Sequence, residues 1–143
     1  MKPNLKLEVA ALTYSGTLPL IILAAYKFIP NTPSLDTVLI AAAYSAVILS
    51  FLCGIHWAIF LFFAEKCPHN LLITSNIIAL LAWASLLDVH SDTSKLLQQL
   101  CFLYLLTLDL RLRDASVLPA WFYTIRRNAT AIVIFCLAII MIP

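Results

Sequence analysis

The sequence predicts an all-α integral membrane protein, a bundle of five transmembrane helices with the N-terminus cytoplasmic and the C-terminus outside. Three observations lead there. Of the 143 residues, 63% are hydrophobic and only 11% charged, whereas soluble domains carry about a quarter charged residues. Apolar runs of spanning length fill nearly the whole chain, which leaves a single membrane domain over 1–143. Lysine and arginine gather on alternate connections, the bias that marks cytoplasmic loops.

Span one is expected over about 7–28. Lys2 and Lys6 before an apolar run superficially suit a signal peptide. The run is longer than a signal core and lacks a small-residue exit, so it reads as a retained span. Pro19 lies inside it, behind Tyr14, Ser15, Gly16 and Thr17. A proline at that depth frees a backbone carbonyl, which a neighbouring helix or hydroxyl must satisfy. Pro30-Asn31-Thr32-Pro33 is a turn, and Ser34 is the expected N-cap of span two, about 35–63.

Span two carries Ala42, Ala46, Ser50, Gly54 and Ala58 at every fourth position. Such a row is expected to form one close-packing face, as small residues do between helices in lipid. His56 stands roughly 200° round the helix from Gly54, nearly opposite that row. Span three, about 71–87, holds Ser75, Asn76 and Trp83; Asp88 to Lys95 is a polar loop. Span four, about 96–112, carries Asp109. Span five, about 119–142, places Pro119 in its first turn and Arg126, Arg127, Asn128 and Thr130 in its first half.

Orientation follows from the basic residues. The N-terminus, second loop and fourth connection share a side and hold Lys2, Lys6, Lys66, Arg111, Arg113, Arg126 and Arg127. The opposite side holds Lys27 and Lys95 beside Asp36, Asp88 and Asp92. Threaded this way, the polar groups of all five spans fall in the cytoplasmic half. The expected cluster is Tyr14, Ser15, Thr17, His56, Trp57, Asn76, Asp109, Arg126 and Thr130. Asp109 would lie about 20 Å along its span, where an unpaired carboxylate costs on the order of 3 kcal/mol. Pairing with Arg126 or Arg127 relieves both partners. The blander alternative is that both arginines snorkel to headgroups in a belt with Trp121 and Tyr123. His56 reads as a hydrogen-bonded bundle residue ahead of a metal or haem ligand, and Trp57 and Trp83 as packing residues.

Four cysteines (Cys53, Cys67, Cys101, Cys136) lie far apart without metal-ligand or CxxC spacing. They read as free thiols filling apolar space, with no metal site. There is no Gly-rich phosphate loop, no His-Glu-x-x-His and no Ser/His/Asp set in a recognisable context, so no catalytic residues are assigned. No basic tract with interleaved aromatics points to nucleic acid.

Several segments carry a family resemblance. They are Ser15-Gly16-Thr17-Leu18-Pro19, Tyr44, Ile48 through Trp57, Leu81-Ala82-Trp83, Asp109, and Pro119 through Tyr123 with Arg126 and Thr130. Together they resemble the small membrane proteins grouped as domain of unknown function 3429, whose mitochondrial relatives are called transmembrane protein 69. The resemblance covers nearly the whole chain. Cys53 stands where a glycine is expected, and Ala58 where a second one is. Both replacements are small for small. The resemblance implies a multi-span membrane protein and supplies no reaction.

The function expected from the residues is that of a non-enzymatic accessory or assembly protein of a bacterial inner (plasma) membrane, or of a mitochondrial inner membrane in a eukaryote. Its polar site would bind a membrane lipid, a quinone or another membrane protein complex, with haem a weaker fit. Two alternatives stand beside it: a small transporter or proton pathway, and a purely structural scaffold.

Overall fold

The computed structural model describes residues 4–30 and 35–141. The expected N-cap Ser34, the turn residues Asn31 to Pro33, Lys2 and the end of span five at Ile142 lie outside the described residues. Every regular element described is helical: α1 (Leu5–Ser15), α2 (Leu18–Tyr26), α3 (Thr37–Phe63), a 3-10 turn (Ala64–Lys66), α4 (Leu71–Ala84), α5 (Asp92–Asp114) and α6 (Ala120–Met141).

Local chemistry explains the boundaries. α1 and α2 form one rod broken at Gly16-Thr17, because Pro19 sits in the first turn of α2 and cannot donate to the preceding turn. The Tyr44 hydroxyl donates to the Gly16 carbonyl at 2.8 Å, so a neighbouring helix satisfies the carbonyl exposed at the break. α3 is capped by Asp36, whose carboxylate accepts from the Leu39 N–H at 2.9 Å. Asn70 caps α4 by accepting from Leu72 and Ile73. Ser91 caps α5 by accepting from Ser94, which draws Asp92 to Lys95 out of the expected polar loop and into the first helical turn. α5 closes with Ser116 in the left-handed region (φ 58°) while the Val117 N–H reaches back to the Leu112 carbonyl at 2.9 Å. That tight closure returns α6 alongside α5.

Among the described residues, three stretches are long and apolar enough to cross a membrane: Leu5–Tyr26, Thr37–Lys66 and Ala120–Met141. α4 is apolar but has 14 residues, about 21 Å at 1.5 Å per residue against a hydrocarbon core of about 30 Å. α5 has the length, yet carries Gln98, Gln99, Asp109 and Arg111. Side-chain contacts fix relative directions. Lys6 lies over Trp121, Asn128 meets Tyr14, and Lys27 reaches the Ile139 carbonyl, so the α1–α2 rod and α6 run parallel. Gln98 contacts Ala42 and Asp109 contacts His56, so α3 and α5 run parallel too. The core between them is made by Leu20, Leu49, Phe102, Leu105, Leu137 and Ile140.

The small-residue row of α3 does not form one face. Ala42 and Ala46 are buried, but Ser50, Gly54 and Ala58 are exposed, and a side chain added at Gly54 would meet nothing. The reason is geometric. Four residues overshoot a full turn by about 40°, so four such steps rotate the row by roughly 160°. Its first two residues face the bundle and the other three face outward.

Candidate functional site

Three buried charged or polar side chains from three helices meet at one point. Asp109 of α5 is 2% exposed, His56 of α3 is 1% exposed and Arg126 of α6 is 8% exposed. His56 Nε2 lies 2.9 Å from Asp109 Oδ1, and Arg126 Nε donates to Asp109 Oδ2 at 3.1 Å. Each carboxylate oxygen thus has its own partner, the arrangement a buried carboxylate needs to offset its desolvation. The other ring nitrogen, His56 Nδ1, is buried without a partner.

Of the two arginines offered to Asp109, the structure selects Arg126. Arg127 is one residue further round α6 and exposed. At the same end of the bundle Arg113 lies over the Tyr123 ring and pairs with Asp114, and Lys6 lies over Trp121. An arginine partner for Asp109 does not exclude His56. A carboxylate has two oxygens, and both are used.

Beside this trio is a cavity of about 320 Å³ between α1, α3 and α6. Thr13, Thr17, Arg126 and Thr130 are the polar side chains among its lining residues, and Phe51, Phe102 and Phe122 stand among its apolar walls. Leu12 and Phe51 line the cavity and are also 73% and 67% exposed on the outer surface. The cavity therefore opens sideways, between α1 and α3, onto the surface that carries Leu12 and Phe51. His56 and Asp109 do not line it; they stand behind Arg126 and hold it.

The other expected site residues divide. Thr17 is buried and donates to the Tyr14 carbonyl at 2.8 Å, and Thr130 is buried on the cavity wall. Tyr14 is half-buried and accepts from Asn128 at 3.5 Å, one step from the cavity. Ser15 is exposed and bonds to its own helix at Leu12. Trp57 is exposed. Asn76 is exposed and folds back onto the Leu72 carbonyl, and Ser75, though buried, bonds to the Leu71 carbonyl. α4 contributes nothing to the cluster, because its polar side chains are satisfied by its own preceding turn.

A second buried polar cluster was not foreseen. Gln98 Nε2 donates to the Ala42 carbonyl at 3.0 Å and to Ser85 Oγ at 2.8 Å, while Ser85 donates to the Ala82 carbonyl. Gln98 Oε1 and the nearby Ser45 Oγ are buried without partners. Position alone suggested residues near span ends, where water satisfies polar groups; no local signal distinguishes an enclosed glutamine there from a wet one. Among the described residues no three His, Cys, Asp or Glu side chains converge as a metal site, and all four cysteines are free.

Neither the curated proteins nor the solved structures compared with this chain gave a match. A family model did match, over residues 5–142, and so over the break in the first rod, the buried trio and the cavity wall alike. The chain belongs to the family described as "Protein of unknown function (DUF3429)".

Proposed function

We propose that this protein is a five-pass, non-enzymatic accessory protein of an energy-converting inner membrane, bacterial or mitochondrial, and that its lateral cavity holds a membrane amphiphile. The observation that carries the reading is Arg126: a guanidinium held by Asp109, itself fixed by His56, at the wall of an apolar cavity. An apolar slot with few convergent polar groups suits a lipid or quinone, with the head at Arg126 and the tail leaving between Leu12 and Phe51. In this reading α4 and α5 also span, each more polar or shorter than a lone span because it is sheltered by its neighbours. The N-terminus is cytoplasmic, since Lys6, Lys66, Arg111, Arg113 and Arg127 lie at one end of the bundle.

The test is extraction. Purified protein should carry a stoichiometric amphiphile detectable by native mass spectrometry, and Leu12→Trp, which fills the slot from its exposed side, should release it. Protein that purifies empty, or that keeps its cargo in Leu12→Trp, overturns the proposal. Sidedness has its own check at Cys67, in the connection before α4. The other three thiols are buried, and burial pushes the Cys67 thiol up from its ordinary value. Only the thiolate attacks a maleimide, so labelling accelerates as pH rises. A membrane-impermeant maleimide at mildly alkaline pH should label Cys67 in inverted vesicles and spare it in intact cells.

A transporter or proton path is the weaker reading. The trio and the Gln98 cluster are separated by buried Leu49, Cys53, Phe102 and Leu105, an apolar layer with no polar stepping stones. Proton or solute flux through liposomes should equal that of empty vesicles.

A further inference from the structure

Arg126 is the one charged residue lining the cavity among the described residues, and its charge is already cancelled by Asp109. Because Asp109 takes the Nε–H, the two Nη nitrogens, with four N–H groups, are left for whatever enters. The Thr17 hydroxyl has given its proton to the Tyr14 carbonyl. The Thr130 hydroxyl has no hydrogen-bond partner among the described residues and is free to donate. The site is rich in donors, and the one charge on its wall is balanced by the carboxylate it touches.

An arginine in an apolar pocket ordinarily attracts carboxylate or phosphate, but only while its charge is unspent. A second anion beside the Arg126–Asp109 pair would be a buried net negative charge, with no other cation on the cavity wall to offset it. A carbonyl oxygen accepts the same N–H bonds and adds no charge. We infer that the cavity selects an uncharged amphiphile whose head accepts hydrogen bonds through carbonyl oxygen, a quinone ring or a glycerol ester, over a fatty-acid carboxylate or a phospholipid phosphate. This rests on the reading of the cavity as an amphiphile site and names the chemistry of what enters it.

The experiment measures equilibrium binding of four probes to the full chain in an uncharged detergent. Two are neutral, a benzoquinone with a decyl tail and dioctanoylglycerol; two are anionic, decanoate and dioctanoyl phosphatidylglycerol. At least one neutral probe should bind tenfold or more tightly than both anions, and Leu12→Trp should abolish that binding while circular dichroism is unchanged. Whether the quinone or the glyceride wins identifies the source. Anions binding as tightly as the neutral probes, with the loss in Leu12→Trp retained, overturn the charge selection and leave the cavity reading standing. Failure of every probe, or binding that ignores Leu12→Trp, overturns both.

Discussion

α3 and α5 run side by side and meet at two polar places, eleven residues (about 16 Å) apart along α5 and fourteen (about 21 Å) along α3. At one, His56, Asp109 and Arg126 join; at the other, Gln98 bridges Ala42 and Ser85 with Ser45 close by. Both are almost wholly buried, yet they are finished differently. Each oxygen of the charged Asp109 has a partner, and the atoms left without one are His56 Nδ1 behind it and, in the other cluster, Gln98 Oε1 and Ser45 Oγ. An unpaired neutral dipole in an interior costs about 1–3 kcal/mol, which a fold tolerates once or twice. An unpaired ion costs more, so charge forces closure where a neutral amide does not. The closed cluster is also the one beside the cavity. A guanidinium held by Asp109, which His56 fixes in turn, presents its remaining donors in a fixed direction, which is what a binding wall requires.

The largest effect should come from opening the closed cluster. Asp109→Ala leaves Arg126 buried with no counter-ion and should destabilise the protein by about 3–5 kcal/mol, read from reversible unfolding in mixed micelles. Removing both charges together, Asp109→Leu with Arg126→Met, should recover most of that loss while amphiphile binding stays absent, since apolar replacements of a buried ion pair are often neutral. A double variant as unstable as the single one would mean the damage is lost packing and not an orphaned charge.

His56→Leu tests the middle of the scale. Asp109 keeps Arg126 but loses the bond to its other oxygen, so the expected cost is about 1.5–3 kcal/mol, typical of a hydrogen bond to a charged group. Binding should weaken without vanishing, because Arg126 remains held by one bond instead of being oriented from behind. Full retention of both stability and binding would reduce His56 to filler.

Much of this was readable in the chain, for physical reasons that particular residues illustrate. Asp109 and Arg126 were visible as partners because two opposite charges inside apolar runs have few places to go. The break at Pro19, and the need for a donor there, follow from one missing N–H. Tyr44 as the donor did not, since its partner at Gly16 is 28 residues away and any hydroxyl on a neighbouring helix would serve. The row from Ala42 to Ala58 misled because a spacing of four looks like a face and is a slow spiral. Asn76 misled because a polar side chain inside an apolar run has two outlets, a neighbour or its own helix, and it took the second. The cavity itself was invisible: Leu12, Phe51 and Phe122 line it with the same residue types that pack a core.

The smallest effect should fall on the unfinished cluster, and it is the sharpest check on the contrast. Gln98→Met removes the amide that bridges α3 to the Ser85 turn, two hydrogen bonds in all. Within membrane bundles such bonds average only about 0.6 kcal/mol. The same change removes the orphaned Oε1, whose burial was unfavourable from the start. Ser85 keeps its bond to Ala82, and methionine fills similar volume with a flexible thioether. The two terms nearly cancel, so the unfolding midpoint should move by an amount equivalent to about 0.5 kcal/mol or less, and binding at Arg126 should not change at all. A loss rivalling that of Asp109→Ala would mean that Gln98 Oε1 is satisfied by something enclosed with it, and that this cluster is as closed as the other.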